Sequence, residues 1–375
     1  MTQPPHLLVI AGEISSDRHG FKLIAELKKK GSLKVTSIGG QMMGTVSDHM
    51  EENIVEKATV GFSEVIKLIP FFLGLKKRIV DKYFSSESPD RIDGLILIDY
   101  PGFNMSIAKE ARKFGIQVFY YITPQVWAWG KNRIPLLAGI CKKLYCLFEF
   151  EKDLFEKAGA HVEWVGHPIL EDMPSEFNID GFSKKFSVSD DDKLIAILPG
   201  SRVSEVKRHL PVIISAIKDI DCRVILGKAP SVSSELIRDI AGDIELCSDV
   251  YPLLKRADIA ILSSGTSTLE AAVIGTPFIT VYKVSAISYL IAKLLVDVKY
   301  ISMVNILAGI KLVPELIQGD LNQESLKKEI SRMLGSSDIR VRIKKGLEEV
   351  SSKIGTKGAS SRTAESIFKE INQVV

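Results

Sequence analysis

Short apolar runs alternate along the chain with longer stretches in which apolar positions recur at helical spacing. The runs at residues 6–12, 34–39, 94–99, 117–122, 143–148 and 161–165 predict buried strands, and the stretches between them, such as 17–30, 103–114 and 149–158, predict helices. That alternation implies a parallel sheet with helices on both faces. Leu95-Ile96-Leu97-Ile98 is almost wholly apolar, as a central parallel strand buried on both faces must be. The pattern breaks after Gly166-His167-Pro168, where residues 171–193 are polar and acidic, with Pro174 and the run Asp190-Asp191-Asp192. It resumes with strands at 194–198, 222–227, 259–263 and 278–282; from about residue 321 only helical patterns remain, the last at 358–372. The expected architecture is α/β, with two Rossmann-like doubly wound domains facing a central cleft. The first spans residues 1–168, a linker 169–192, and the second 193–340; C-terminal helices at 341–375 pack back on the first domain or on a partner subunit. Ligands of such sheets bind beyond the carboxyl ends of the strands, so the turns at those ends are where chemistry is expected.

A length of 375 residues accommodates two ordinary domains, and 46% hydrophobic with 25% charged residues is a globular composition. A net charge of +3 is too weak to argue for nucleic acid and is compatible with an anionic lipid surface. Cys141, Cys146, Cys222 and Cys247 form no CxxC pair and read as reduced, buried thiols. No basic region precedes the strand at His6–Ala11, so no secretory leader is expected. No apolar stretch reaches the ~18 residues of a membrane span. Two shorter apolar segments edged by lysine, Phe62 to Leu75 and Ser285 to Val296, read either as core helices or as helices lying on a membrane surface.

The turns carry the candidate chemistry. Leu198-Pro199-Gly200-Ser201-Arg202 follows an apolar strand and precedes a helix containing Glu205. Glycine admits close approach of an anion, Ser201 offers a hydroxyl, the helix start offers free N–H groups, and Arg202 offers a bidentate fork for a phosphate or diphosphate. Ser263-Ser264-Gly265-Thr266-Ser267 repeats the arrangement after Ile259–Leu262, and Glu270, one helical turn on, is either a ribose ligand or a solvated glutamate. In Ala11-Gly12-Glu13-Ile14-Ser15-Ser16-Asp17, either Ser15 or Asp17 caps the next helix, or the loop meets a sugar through Glu13 and the hydroxyls. Ile38-Gly39-Gly40 lacks the GxGxxG spacing of a dinucleotide site. Asp99 ends the most apolar strand, where a carboxylate is costly unless paired or solvated; it either caps the next helix or is a general base. Trp127 and Trp129, beside the strand end at Tyr121, read as core or as the wall of an apolar groove. The six histidines have no metal-ligand spacing, and Asp190 and Asp192 precede their strand, so no metal is expected.

Taken together, AGEISSD (11–17), IGG (38–40), VGFSEVI (60–66), LILIDYPGFN (95–104), YITPQVWAW (121–129), VGHP (165–168), LPGSR (198–202), SSGTSTLE (263–270), YKVSAISYLIAKLLV (282–296), MVNILAG (303–309) and LVPELIQ (312–318) resemble the lipid-A-disaccharide synthase family, glycosyltransferases of GT-B type. The resemblance runs in order from about residue 8 to about residue 320. It departs at Ser16, where the family has glycine, and at Phe21, where a small residue is usual. It implies an inverting, metal-independent transfer in lipid A (lipopolysaccharide) biosynthesis. UDP-2,3-diacylglucosamine and 2,3-diacylglucosamine 1-phosphate give a β-1′,6-linked disaccharide phosphate and UDP. It implies that Asp99 is the base, assisted by Glu13, and that Arg202 with the Gly200 and Ser201 N–H groups stabilises the departing UDP. Ser264, Gly265 and Thr266 would meet the diphosphate and Glu270 the ribose, with Ser15, Asp17 and Asn305 at sugar or acceptor. It further implies acyl or membrane contact by the two apolar segments, a cytoplasmic protein peripheral on the inner face of the membrane, and a homodimer. Two other readings stay open: another UDP-sugar transferase or a UDP-N-acetylglucosamine epimerase of the same fold, and a UDP-sugar-binding protein without turnover.

Overall fold

The computed structural model describes residues 4–58, 62–295 and 298–372; Val60 and Gly61 of the VGFSEVI stretch and Val296 lie outside the described residues. The chain forms two compact units. The first comprises the residues through Glu171 together with those from Gly355 onward, and the second comprises Asp172–Ile354.

The first unit holds strands β1 (His6–Ala11), β2 (Lys34–Gly39), β3 (His49–Asn53), β4 (Gly94–Ile98), β5 (Gln117–Tyr121), β6 (Lys143–Cys146) and β7 (Val162–Trp164). All neighbours are parallel, in the order β3-β2-β1-β4-β5-β6-β7. Alternation along each strand divides the core into two layers. Leu8, Ile10, Leu95, Leu97, Val118 and Tyr120 belong to one. Leu7, Val9, Ile96, Ile98, Phe119 and Tyr121 belong to the other, with Leu23, Ile24 and Leu27 of the first helix and Ala364, Ile367 and Ile371 of the last. Burial on both faces explains the unbroken apolar runs.

The second unit repeats the plan with β8 (Leu194–Leu198), β9 (Arg223–Gly227), β10 (Glu245–Cys247), β11 (Ile259–Ser263), β12 (Phe278–Tyr282) and β13 (Glu315–Ile317), parallel throughout in the order β10-β9-β8-β11-β12-β13. In each sheet the strand order reverses once, between β1 and β4 and between β8 and β11. Such a switch point leaves a crevice at the carboxyl ends of the two strands. The segments that follow these strands, Gly12–Asp17, Asp99–Asn104, Pro199–Arg202 and Ser264–Thr266, are those the sequence singled out, and each runs into the start of a helix.

The structure amends the expected boundaries. Residues 169–192 are not a bare linker: they hold the short helices Ile169–Asp172 and Ile179–Phe186, and Phe182 and Phe186 bury their rings. A boundary at 340 would cut the helix Ser337–Ser352, which packs within the second unit. The chain returns to the first unit at Gly355, and its last helix, Ala359–Asn372, lies against the first, Ile14–Lys30. All four cysteines are free thiols, Cys146 and Cys247 of them buried.

Candidate active site

In the first unit the switch point is built around Asp99. Asp99 and Tyr100 are both left-handed, each with φ 48°, and the β-branched Ile122 at the end of β5 has φ 61°. Each costs on the order of 1–3 kcal/mol and persists only where the surroundings enforce it. Asn104, fully buried, donates through Nδ2 to the carbonyls of Ile98 (3.2 Å) and Asp99 (2.8 Å), and the Tyr120 hydroxyl donates to the Asp99 carbonyl at 2.8 Å. Gly12 makes room from the other side, since a Cβ there would lie 2.2 Å from Cγ of Tyr100. Of the two readings of Asp99, the structure removes the cap: the N-cap of the helix Pro101–Lys113 is Tyr100, and no side chain caps it. The Asp99 carboxyl is pushed up to about 6, first by burial and then by the Glu13 carboxylate, with the Tyr100 N–H opposing. Glu13 itself is exposed at the start of the first helix.

Two assignments in the first loop change. The first helix begins at Ile14, so Ser15, Ser16 and Asp17 lie in its opening turn rather than in a loop. Ser16 is buried in ordinary helical backbone, which needs no glycine. Asp17 is corrected from a sugar ligand to a structural residue. It is 5% exposed, and its carboxylate accepts from the N–H groups of Gly40, Met42 and Met43 at 2.8–3.1 Å, satisfying the start of the helix Gln41–Val46. Ser15 is exposed.

Nearby, Trp127 buries its ring and donates through Nε1 to Glu151 at 2.9 Å, while Trp129 lies under the Arg133 guanidinium. The other Glu151 oxygen accepts from the N–H groups of Leu147 and Phe148, and burial holds this carboxyl up at about 7. Sequence reasoning missed Glu151 and Asn104; both are polar residues on otherwise apolar helix faces, which is the available signal.

In the second unit, Gly200 has φ 126°, and a Cβ there would come within 2.4 Å of Glu205 Oε2, so the position requires glycine on two counts. Glu205 accepts from the N–H groups of Ser201 (3.1 Å) and Arg202 (3.4 Å), and the exposed Arg202 guanidinium donates to it at 2.9 Å. A carboxylate thus occupies donors expected to serve a diphosphate, in the capping-box arrangement of Arg202 and Glu205 at the helix start. Ser264 and the N-cap Gly265 open the helix Thr266–Ile274, and no atom would crowd a Cβ at Gly265. Glu270, one turn further, accepts a hydrogen bond from the Tyr251 hydroxyl at 3.1 Å. Asn305 is corrected: fully buried, it donates to the Val313 carbonyl and to Glu315 and accepts from the Val313 N–H, locking the approach to β13. Among the described residues, no group of three or more His, Cys, Asp or Glu side chains is placed to hold a metal ion.

Comparison with known proteins follows the same outline. The model of the lipid-A-disaccharide synthetase family matches residues 7–371. The chain is 37% identical to the lipid-A-disaccharide synthase of Syntrophus aciditrophicus, covering 96% of each chain, and 34% identical to that of Geobacter sulfurreducens, covering 98% of each. Among solved structures it resembles a putative UDP-N-acetylglucosamine 2-epimerase from Listeria monocytogenes (TM-score 0.65, 12% identity, 99% of this chain and 98% of that one). It also resembles the calicheamicin glycosyltransferase CalG4 (TM-score 0.62, 12% identity, 100% of both chains). At such identities these two speak for the fold alone.

Proposed function

Since the chain belongs to the lipid-A-disaccharide synthase family, glycosyltransferases of lipid A biosynthesis, we propose that it joins UDP-2,3-diacylglucosamine to 2,3-diacylglucosamine 1-phosphate by a single inverting displacement based on Asp99. The observation that carries the mechanism is the Asp99 carboxyl, held near 6 in an enforced left-handed turn at a strand end. A base poised there is ionised at neutral pH yet basic enough to take the proton of an attacking hydroxyl. The acceptor 6-hydroxyl gives its proton to Asp99 as its oxygen forms the bond to the donor C1. The C1–oxygen bond to the diphosphate breaks, and UDP leaves with the electron pair. Glu13 tunes this base through its negative charge.

The developing charge on the diphosphate falls to the second unit. Arg202 and the N–H groups of the Gly200–Arg202 turn, joined by Ser264, Gly265 and Thr266, supply fixed donors in place of a metal. The diphosphate competes with Glu205 for them. Glu270, oriented by Tyr251, is suited to accept from the ribose hydroxyls.

The lipid side of the reading rests on two helices. Ile69 and Leu73 of Phe62–Ile79, one turn apart, are 50% and 62% exposed ahead of Lys76, Lys77 and Arg78; Ile287 and Leu290 of Ala286–Leu295 are 75% and 62% exposed beside Lys293. Apolar faces edged by lysine suit acyl chains or an anionic bilayer surface. No described helix is long and apolar enough to cross a membrane. A homodimer completes the reading and is checked by sedimentation velocity.

The test mixes purified protein with both lipids in detergent and EDTA and follows products by mass spectrometry. Tetra-acyl disaccharide phosphate and UDP in equal amounts are expected; UDP binding without product contradicts the lipid assignment, and turnover abolished by the chelator contradicts the metal-free one.

A further inference from the structure

The helix Val203–Ile217 turns Glu205 and His209, one turn apart on one face, toward the end of β8. Glu205 holds the exit of the Pro199–Arg202 turn; His209 holds its entry. His209 is fully buried, with Nδ1 2.8 Å from the Pro199 carbonyl, and the Lys283 N–H donates to Nε2 at 2.9 Å. A carbonyl only accepts and a backbone N–H only donates, so the ring is forced into one tautomer, with its proton on Nδ1 and a lone pair on Nε2. Burial also lowers its pKa, which keeps it in that neutral form.

The two partners come from different strands. Pro199 follows β8 and opens the anion turn, whereas Lys283 follows β12 and leads to the apolar helix Ala286–Leu295. β11 lies between β8 and β12, so no ladder bond joins these ends, and the ring spans the gap. Val284 is gripped in turn by Gln318, whose Oε1 accepts its N–H at 2.9 Å. Side chains, not strand pairing, therefore set the path out of β12.

We infer that His209 is a positioning residue for the sugar-nucleotide donor: one side chain fixes both the turn that meets the diphosphate and the direction in which the chain departs toward the apolar helix. The inference rests on the assignment of the Pro199–Arg202 turn to the UDP diphosphate. His209 is fully buried with both ring nitrogens engaged by backbone groups, so its loss should weaken donor binding more than the chemical step.

The test compares wild type, His209→Gln and His209→Leu by UDP calorimetry and by initial rates at varied UDP-sugar. Glutamine presents both an N–H donor and a carbonyl acceptor, whereas leucine presents neither. Two unpaired buried backbone groups in the leucine variant predict a UDP Kd raised about 10- to 100-fold and a parallel rise in donor KM, with kcat within about threefold of wild type. Glutamine should restore both constants to within about fivefold. A folded leucine variant that binds UDP like wild type, or one that loses kcat with KM unchanged, overturns the inference. Should leucine prevent folding, His209→Asn, too short to reach both partners, takes its place: donor KM above that of the glutamine variant is expected, and equality with wild type overturns it. Failure of the wild-type protein to bind UDP strikes the diphosphate assignment itself, before any variant is made.

Discussion

At the scale of single residues, the account turns on charge in a confined place. Asp99 is kept near 6 by burial and by Glu13, so activity depending on its ionised form rises with pH through about 6 and levels off above. Replacing Glu13 with glutamine removes the negative neighbour and leaves the burial. The acidic limb of the pH–rate profile should then move to lower pH, and a limb that stays in place would argue that Glu13 does not tune Asp99. Gly200 makes a second prediction. Gly200→Ala meets both an unfavourable φ and the Glu205 side chain. We expect a loss of about 1–3 kcal/mol in unfolding free energy or UDP binding, read by thermal melts and calorimetry. Wild-type values for both would contradict the tight-turn geometry.

At the scale of elements, Glu151 ties the start of the helix Glu149–Glu156 to Trp127. Its folded pKa of about 7 lies above the ordinary carboxylate value, so the folded state binds more protons than the unfolded chain between about 4.5 and 7. This group's contribution is fully present below that window and declines as pH rises through it. Denaturant midpoints of the wild type should carry that decline relative to Glu151→Gln, and identical pH dependence of the two would refute the assignment. The exposed pairs predict a separate behaviour: Ile69→Ser with Leu73→Ser, or Ile287→Ser with Leu290→Ser, should reduce sedimentation with anionic vesicles while leaving UDP affinity unchanged. Undiminished sedimentation would remove these helices from the membrane reading.

The elements also show what a sequence can disclose. The central strands were legible because burial on both faces demands unbroken apolar runs, and β8, β11 and β12 begin and end where the pattern said. β3, β10 and β13 were not: His49–Asn53 carries two glutamates, and the other two are three residues long and open on a glutamate, which leaves only two apolar positions in each. The switch-point turns were legible because glycine, serine and charge beyond an apolar strand are locally unusual. Asp17 and Asn305 misled because a polar side chain in such a motif reads alike whether it meets a ligand or a backbone N–H across the fold. Glu151 and His209 escaped notice because Trp127 and Lys283, which each of them joins to a nearer backbone group, lie 24 and 74 residues away; Asn104 escaped because its bonds to the Ile98 and Asp99 carbonyls exist only once the turn between them has folded back.

For the whole molecule, the doubly wound plan is duplicated: one sheet carries Asp99 at its switch point and the other carries the Pro199–Arg202 and Ser264–Thr266 turns at its own, and under the proposed function the base falls to the first and the diphosphate to the second. Removing the base should leave nucleotide binding intact, because Asp99 and the Pro199–Arg202 turn belong to different units. The most direct measurement is therefore the rate of disaccharide formation by wild type and Asp99→Asn across pH, with UDP affinity measured on the same samples. The account predicts a fall in kcat of about 100- to 10,000-fold, loss of the limb near pH 6, and unchanged UDP affinity. A variant that retains the wild-type rate, or whose acidic limb survives, would contradict Asp99 as the base.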